Sequence, residues 1–156
     1  MITFTLNGKE TTHSGAATDR LVEILRDVCG CTGVKIGCNE GECGACSIIL
    51  DGELANACML AVGRVHGCDV ITIEGYRDTP QFALLARTFG ETGAVQCGFC
   101  TPGMILAAEC LLRVNQSPTD EEIRVALSGN ICRCTGYNAI IAAVAKAALE
   151  GANLWQ

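Results

Sequence analysis

Ile2-Thr3-Phe4-Thr5-Leu6 alternates apolar and polar side chains, the period-two pattern of a half-buried strand, and Asn7-Gly8 follows as a hairpin turn into Lys9–Thr12. Thr18 is placed to cap a helix running to about Val28, with Leu21, Ile24, Leu25 and Val28 along one face. Ser47–Leu50 predicts another strand, turned by Asp51-Gly52, and Val70–Ile73 a further one. Beyond residue 80 the period lengthens to that of a helix. Phe82, Leu85, Ala86 and Phe89 stand at i, i+3, i+4 and i+7, and a second helix opens at Thr101-Pro102. Thr119-x-x-Glu122 reads as the capping box of a third, and a fourth runs from about Tyr137 to Leu149. Tyr76 to Pro80, rich in turn formers and charge, predicts a linker, so the expected division is 1–75, β-rich, and 76–156, helical. Met104–Ala108 and Ile140–Leu149 are apolar nearly all round. Helices of that kind are buried on more than one side, which predicts docking on a partner as well as packing in a bundle.

Composition narrows the chemistry. The chain has 156 residues, a net charge of −6 and only 18% charged residues. Its mean hydropathy is +0.32. An acidic chain without a basic cluster is no nucleic-acid surface, and no run is long and apolar enough to span a bilayer. The few charges predict apolar surface buried against other subunits. Twelve cysteines change the picture most. Six disulfides in a secreted protein are one reading, but Met1 runs directly into a strand with no basic-then-apolar leader, which favours metal ligation.

Cys38, Cys43, Cys46 and Cys58 follow the pattern Cys-x4-Cys-x2-Cys and then a fourth thiol, inside a glycine-rich run. That is the spacing of a plant-type [2Fe–2S] site, whose loop must curl so that N–H groups aim at sulfur. Together with the strands around it, it predicts a β-grasp ferredoxin-like domain, then a four-helix bundle, an α+β chain. The bundle carries its own echo. Ala94–Gly103 and Gly129–Tyr137 each place two cysteines and a threonine just ahead of a helix, and packing of the helical pairs would bring Cys97, Cys100, Cys132 and Cys134 together. Four thiolates also suit a structural zinc site, which colour or an EPR signal on reduction would exclude.

The runs Gly37–Cys46, Ala94–Met104 and Gly129–Tyr137 closely resemble those of the small iron–sulfur subunit of molybdenum hydroxylases, over essentially the whole chain. This is the xanthine dehydrogenase family, with aldehyde, nicotinate, isoquinoline and carbon monoxide dehydrogenases and 4-hydroxybenzoyl-CoA reductase. The resemblance implies two [2Fe–2S] clusters, one on Cys38, Cys43, Cys46 and Cys58, the other on Cys97, Cys100, Cys132 and Cys134. It implies a large subunit with a molybdopterin-type molybdenum cofactor and a medium, FAD-binding subunit, in a cytoplasmic complex built as a dimer of heterotrimers. Electrons would pass through the bundle cluster, then the ferredoxin-like cluster, to FAD and NAD or another acceptor. Gln96 and Cys134 would hydrogen-bond the pterin. The expected substrate is a purine such as xanthine or another N-heterocycle, with carbon monoxide, aldehyde or aromatic acyl-CoA chemistry as the alternative. A free-standing ferredoxin is the rival from another class.

Other residues draw bland expectations. Cys29, Cys31, Cys68 and Cys110 read as small buried hydrophobes. Thr101 and Thr135 read as helix caps, and Glu40 and Glu42 as a solvated rim. His13 and His66 stand alone, with no serine–histidine–acid set, so the chain itself is expected to conduct electrons and not to bind substrate.

Overall fold

The computed structural model describes residues 1–155. Five strands, β1 (Ile2–Leu6), β2 (Lys9–His13), β3 (Ser47–Leu50), β4 (Glu53–Asn56) and β5 (Asp69–Ile71), form one mixed sheet in the order β2-β1-β5-β3-β4. β1 and β5 run parallel, and every other pairing is antiparallel. Both hairpins turn on a non-glycine residue followed by glycine, with positive φ at each: Asn7 at 52° and Gly8 at 78°, Asp51 at 49° and Gly52 at 89°. That is the backbone of a type I′ turn, whose twist matches the strands it joins.

Helix α1 spans only Leu21–Glu23 and widens into a π-helical turn over Ile24–Val28. Its N-cap is Arg20, with no side-chain hydrogen bond, so Thr18 is not the cap. Leu21, Ile24 and Leu25 are buried as the spacing predicts, but Val28 is 69% exposed, because the wider turn rotates it off the buried face. Val70 is buried in a strand that ends at Ile71 instead of Ile73, since Ile73–Tyr76 forms the short helix α2.

Four longer helices follow: α3 (Pro80–Glu91), α4 (Thr101–Val114), α5 (Asp120–Ala126) and α6 (Asn138–Glu150). Thr79 caps α3, and Thr119 and Glu122 close the expected capping box on α5. The ferredoxin-like sheet followed by a helical bundle is the predicted fold class.

Two apolar cores meet at β3. Ile48 points into the core shared with Phe4, Leu21 and Val70, whereas Ile49 belongs to the core of the bundle. A strand covered on both faces loses its alternation, which is why Ser47, Ile48 and Ile49 are buried in succession. The same packing accounts for α4. Its run from Gly103 to Glu109 is buried because the sheet covers one side and the bundle helices the other. Packing within the chain thus accounts for the buried run, as one of the two causes its sequence predicts, and the sheet adds a cover beyond the bundle. On α6, Leu149 is the apolar side chain left 84% exposed.

The expected linker is partly interior. Tyr76 is buried, and its hydroxyl donates to the Glu109 carboxylate on α4. The indole N–H of Trp155 donates to the same carboxylate at 2.6 Å, and the Arg113 guanidinium reaches its other oxygen at 2.6 Å. One buried carboxylate therefore ties the interdomain segment and the C-terminal tail to the bundle. Burial and the Glu109 charge push the Tyr76 phenol far above its ordinary pKa, so it remains a donor. Glu109→Ala should leave two buried donors unpaired and lower stability by about 3 kcal/mol. The midpoint of denaturant unfolding measures this, and an unmoved midpoint would show that the carboxylate holds nothing together.

Candidate functional site

The first cysteine loop lies between the π-helical turn and β3. Three amides, those of Glu40, Glu42 and Cys43, donate to the Cys38 sulfur at 3.5, 3.3 and 3.3 Å. Glu40 and Glu42 thus contribute backbone to the site, with their side chains on an exposed rim. N–H donors aimed at sulfur favour the charged thiolate, and those amides, Glu40 first, hold the Cys38 thiol down at about 7. Positive φ at Asn39, Gly41 and Gly44 curls the loop around that sulfur. Arg20 braces it from outside through the carbonyls of Asn39 and Cys58, both at 3.0 Å, and Asn56 holds the Gly41 carbonyl at 3.0 Å.

Cys46 and Cys58 are buried behind this rim, and the Cys58 amide donates to the Cys46 sulfur at 3.5 Å. Burial pushes the Cys46 thiol up to about 12, so this sulfur needs a positive charge nearby to ionise. A bound metal ion supplies it and displaces the proton.

In the bundle, Cys97 and Cys134 lie with their sulfurs 3.5 Å apart on the exposed side, and the half-buried Cys100 and buried Cys132 line the same cavity. The Phe99 amide lowers the Cys97 thiol, and burial pushes Cys100 up to about 12. For Cys132 burial acts upward, but the Thr135 hydroxyl and the Thr135 and Cys134 amides outweigh it and bring the thiol to about 7. The expected convergence of these two segments is present. A cavity of about 160 Å³ is lined by all four thiols and by Cys43 of the other loop.

Of the eight thiols, Cys97 and Cys134 make the direct sulfur-to-sulfur contact, at 3.5 Å, while the amides of Cys43 and Cys58 donate to the sulfurs of Cys38 and Cys46 at 3.3 and 3.5 Å. Among the described residues no three His, Cys, Asp or Glu side chains close on a single ion. A zinc site needs four ligands around one point, whereas a [2Fe–2S] cluster takes thiolates two to an iron. Three two-cysteine contacts, Cys38 with Cys43, Cys46 with Cys58 and Cys97 with Cys134, fit the second demand. Close backbone approach fits it too, since a Cβ on Gly37 would stand 2.8 Å from the Cys43 sulfur.

The two loops are joined directly. The Ile131 amide donates to the Cys43 carbonyl at 2.9 Å. The buried Asn130 side chain donates to the Gly44 carbonyl at 3.0 Å and to the Ser47 hydroxyl oxygen at 3.2 Å. Gly103 on α4 packs against the same carbonyl, where a Cβ would come within 2.5 Å. Asn130, Ser47 and Gly103 are functional positions that spacing rules miss. Their only trace is the polar asparagine inside the motif Gly129-Asn130-Ile131-Cys132.

Two expectations need correction. Thr101 is itself the first residue of α4 behind Cys100 as N-cap, and Thr135 lies ahead of Tyr137, the N-cap of α6; neither side chain caps a helix. The Thr135 hydroxyl donates instead to the Cys132 sulfur at 3.0 Å. Nor do the histidines stand alone. His13 Nε2 lies 2.7 Å from Asp19, and His66 Nδ1 accepts the Thr3 amide at 3.1 Å. Of the remaining cysteines, Cys31 is buried as expected, and Cys29, Cys68 and Cys110 are half-buried at the margins of the cores. Gln96 is exposed and precedes Cys97 in the chain, and Val95, Phe99 and Ile131 are exposed apolar side chains, with Phe99 and Ile131 lining the cavity that holds Cys97 and Cys134. No helix among the described residues is long and apolar enough to cross a membrane.

Residues 4–67 match the family described as a 2Fe-2S iron-sulfur cluster binding domain, and residues 72–145 the family described as a [2Fe-2S] binding domain. The nicotinate dehydrogenase small FeS subunit of Eubacterium barkeri is 49% identical over 152 residues, covering 97% of each chain. The crystal structure of quinoline 2-oxidoreductase from Pseudomonas putida 86 superposes with a TM-score of 0.86 at 41% identity, over 96% of each chain. The aldehyde oxidoreductase of Desulfovibrio gigas gives a TM-score of 0.88 at 41% identity, over 97% of this chain and 18% of that longer one.

Proposed function

Because the chain belongs to the small [2Fe–2S] subunits of molybdenum hydroxylases, the xanthine dehydrogenase family, we propose that it carries electrons between a molybdenum centre on a large subunit and an acceptor on another. Cys38, Cys43, Cys46 and Cys58 hold one cluster, with Cys38 and Cys43 on one iron and Cys46 and Cys58 on the other. Cys97, Cys100, Cys132 and Cys134 hold the second, divided as Cys97 with Cys134 and Cys100 with Cys132. Such a cluster takes up and releases one electron with its thiolate ligands unchanged.

The observation that carries this reading is the join between the loops. Cys43 and Cys132 stand on either side of a single hydrogen bond, from the Ile131 amide to the Cys43 carbonyl at 2.9 Å. Rigid ligand loops fixed to one another keep two redox groups at constant separation. Burial of Cys46, Cys58 and Cys132 keeps water from much of both sites, and the amides on Cys38 favour added negative charge. We assign the boundary between the two cluster domains to residues 75 and 76.

The exposed pair Cys97 and Cys134, with Gln96 preceding Cys97 in the chain and the exposed apolar side chains of Val95, Phe99 and Ile131, forms the face toward the large subunit. There Gln96 and Cys134 hydrogen-bond the pterin. A medium FAD-binding subunit receives electrons at the Cys38 rim, and the assembly is a cytoplasmic dimer of heterotrimers. The substrate is an N-heterocycle, as the names of the nicotinate and quinoline enzymes suggest.

Metal stoichiometry of the native complex tests the assignment. Iron should reach about four per chain, two for each cluster, with molybdenum on the co-purifying large subunit. Zinc in place of iron, or a chain that purifies alone, would overturn it. A screen of purines, nicotinate, aldehydes and carbon monoxide on that complex decides the substrate.

A further inference from the structure

We propose that the Thr135 hydroxyl sets the reduction potential of the second cluster by hydrogen-bonding its ligand Cys132, and that Tyr137 is the brace that aims this hydroxyl. The inference rests on the ligand assignment above.

Thr135 Oγ1 lies 3.0 Å from the Cys132 sulfur and 3.3 Å from the amide nitrogen of Tyr137. The amide has only a proton to give, so the hydroxyl oxygen accepts from it. The hydroxyl proton is then free to point at sulfur. Tyr137 also touches the ligand directly, since its phenol oxygen accepts the Cys132 amide at 2.9 Å. Cys132 is thus clamped at its amide and at its sulfur by one three-residue stretch.

The backbone of Tyr137 is what brings both contacts about. Its φ is +71°, a left-handed conformation that is rare for a bulky side chain. Strain of this kind persists only where its surroundings enforce it, and it marks functional positions. Here it turns the amide back toward Thr135 and the ring back over the Cys132 amide, while the Tyr137 carbonyl still accepts the first helical bond of α6 from Ile141 at 2.9 Å.

A hydroxyl dipole with its positive end on a ligand sulfur stabilises the more negative, reduced cluster more than the oxidised one. Removing it therefore lowers the potential. Thr135→Val keeps the side chain's shape and deletes the donor. In the intact complex, EPR-monitored redox titration should show the second cluster's reduced-to-oxidised ratio at fixed potential fall about tenfold, equivalent to about 59 mV for a one-electron couple. Thr135→Ser keeps the hydroxyl and should titrate as the unaltered protein does. The first cluster's midpoint should not move in either variant.

An unmoved second midpoint in Thr135→Val with iron retained would overturn the proposal. Thr135→Ala should give the same fall if valine crowds the loop. If both valine and alanine variants lose the second cluster's iron while serine retains it, the hydroxyl is structural and the tuning role is wrong. Absence of any second-cluster signal from the unaltered complex is a separate result, and it would sink the ligand assignment itself.

Discussion

Cys43→Ser should extinguish the EPR signal of the first cluster and stop reduction of the terminal acceptor, while substrate still reduces the second cluster. Cys43 contributes two things at once. Its sulfur is a proposed ligand of the first cluster, and its carbonyl accepts the Ile131 amide that ties the loops together. Serine keeps the backbone and therefore the tie, so a loss is attributable to sulfur. Oxygen in place of thiolate is the harder, poorer ligand for iron in a sulfur-held cluster. Steady-state assays with the acceptor, set beside rapid-freeze EPR after substrate addition, separate the two halves of the route. Full acceptor turnover in the variant would mean that electrons leave without using the first cluster.

Gly44→Ala should be the most damaging single methyl group in the chain. Gly44 has a φ of +67°, and a Cβ there would lie 2.3 Å from the Gly129 carbonyl oxygen and 2.6 Å from the Asn130 amide. One neighbour is backbone, and the other is a buried side chain already committed to the Gly44 carbonyl and Ser47. Neither gives way without breaking the junction between the loops. The left-handed backbone, the crowding and the displaced hydrogen bonds together should cost about 3–5 kcal/mol. Gly52→Ala is the control. Its φ is +89° but nothing lies within 4 Å, so only the backbone penalty of about 1–2 kcal/mol should appear. Denaturant unfolding and iron content of both variants, measured together, check this. Equal losses would show that the contact with Asn130 is unimportant.

Much of the site was legible because its parts are local in sequence. Thiol spacing, glycines that permit a curled loop, and the capping box on α5 are decided within a few residues, and a strand or helix period needs only a short window. The cysteines, the hairpins and the four long helices could be read in that way. Val28 leaves the face that its spacing predicts because one π turn shifts that face by a residue, and hydrogen-bond register within a helix is invisible to periodicity. Thr135 has the sequence position of a cap, because threonine before a helix usually is one. Its true partner is a sulfur that the loop brings to it.

What the sequence alone determined is which groups are available: eight thiols in two spaced sets, flanked by glycine, and two kinds of hydrophobic period that cannot share one core. Tertiary structure decided how those groups are used. It buried both faces of β3, so that α4 is apolar for internal reasons, and it tied the Cys43 loop to the Ile131 loop across residues far apart in the chain. It also gathered Tyr76, Arg113 and Trp155 on one carboxylate. The physical reason is that which side chains can bind metal follows from their chemistry, whereas the distance between two thiol sets and the donors around each sulfur depend on how separate elements pack.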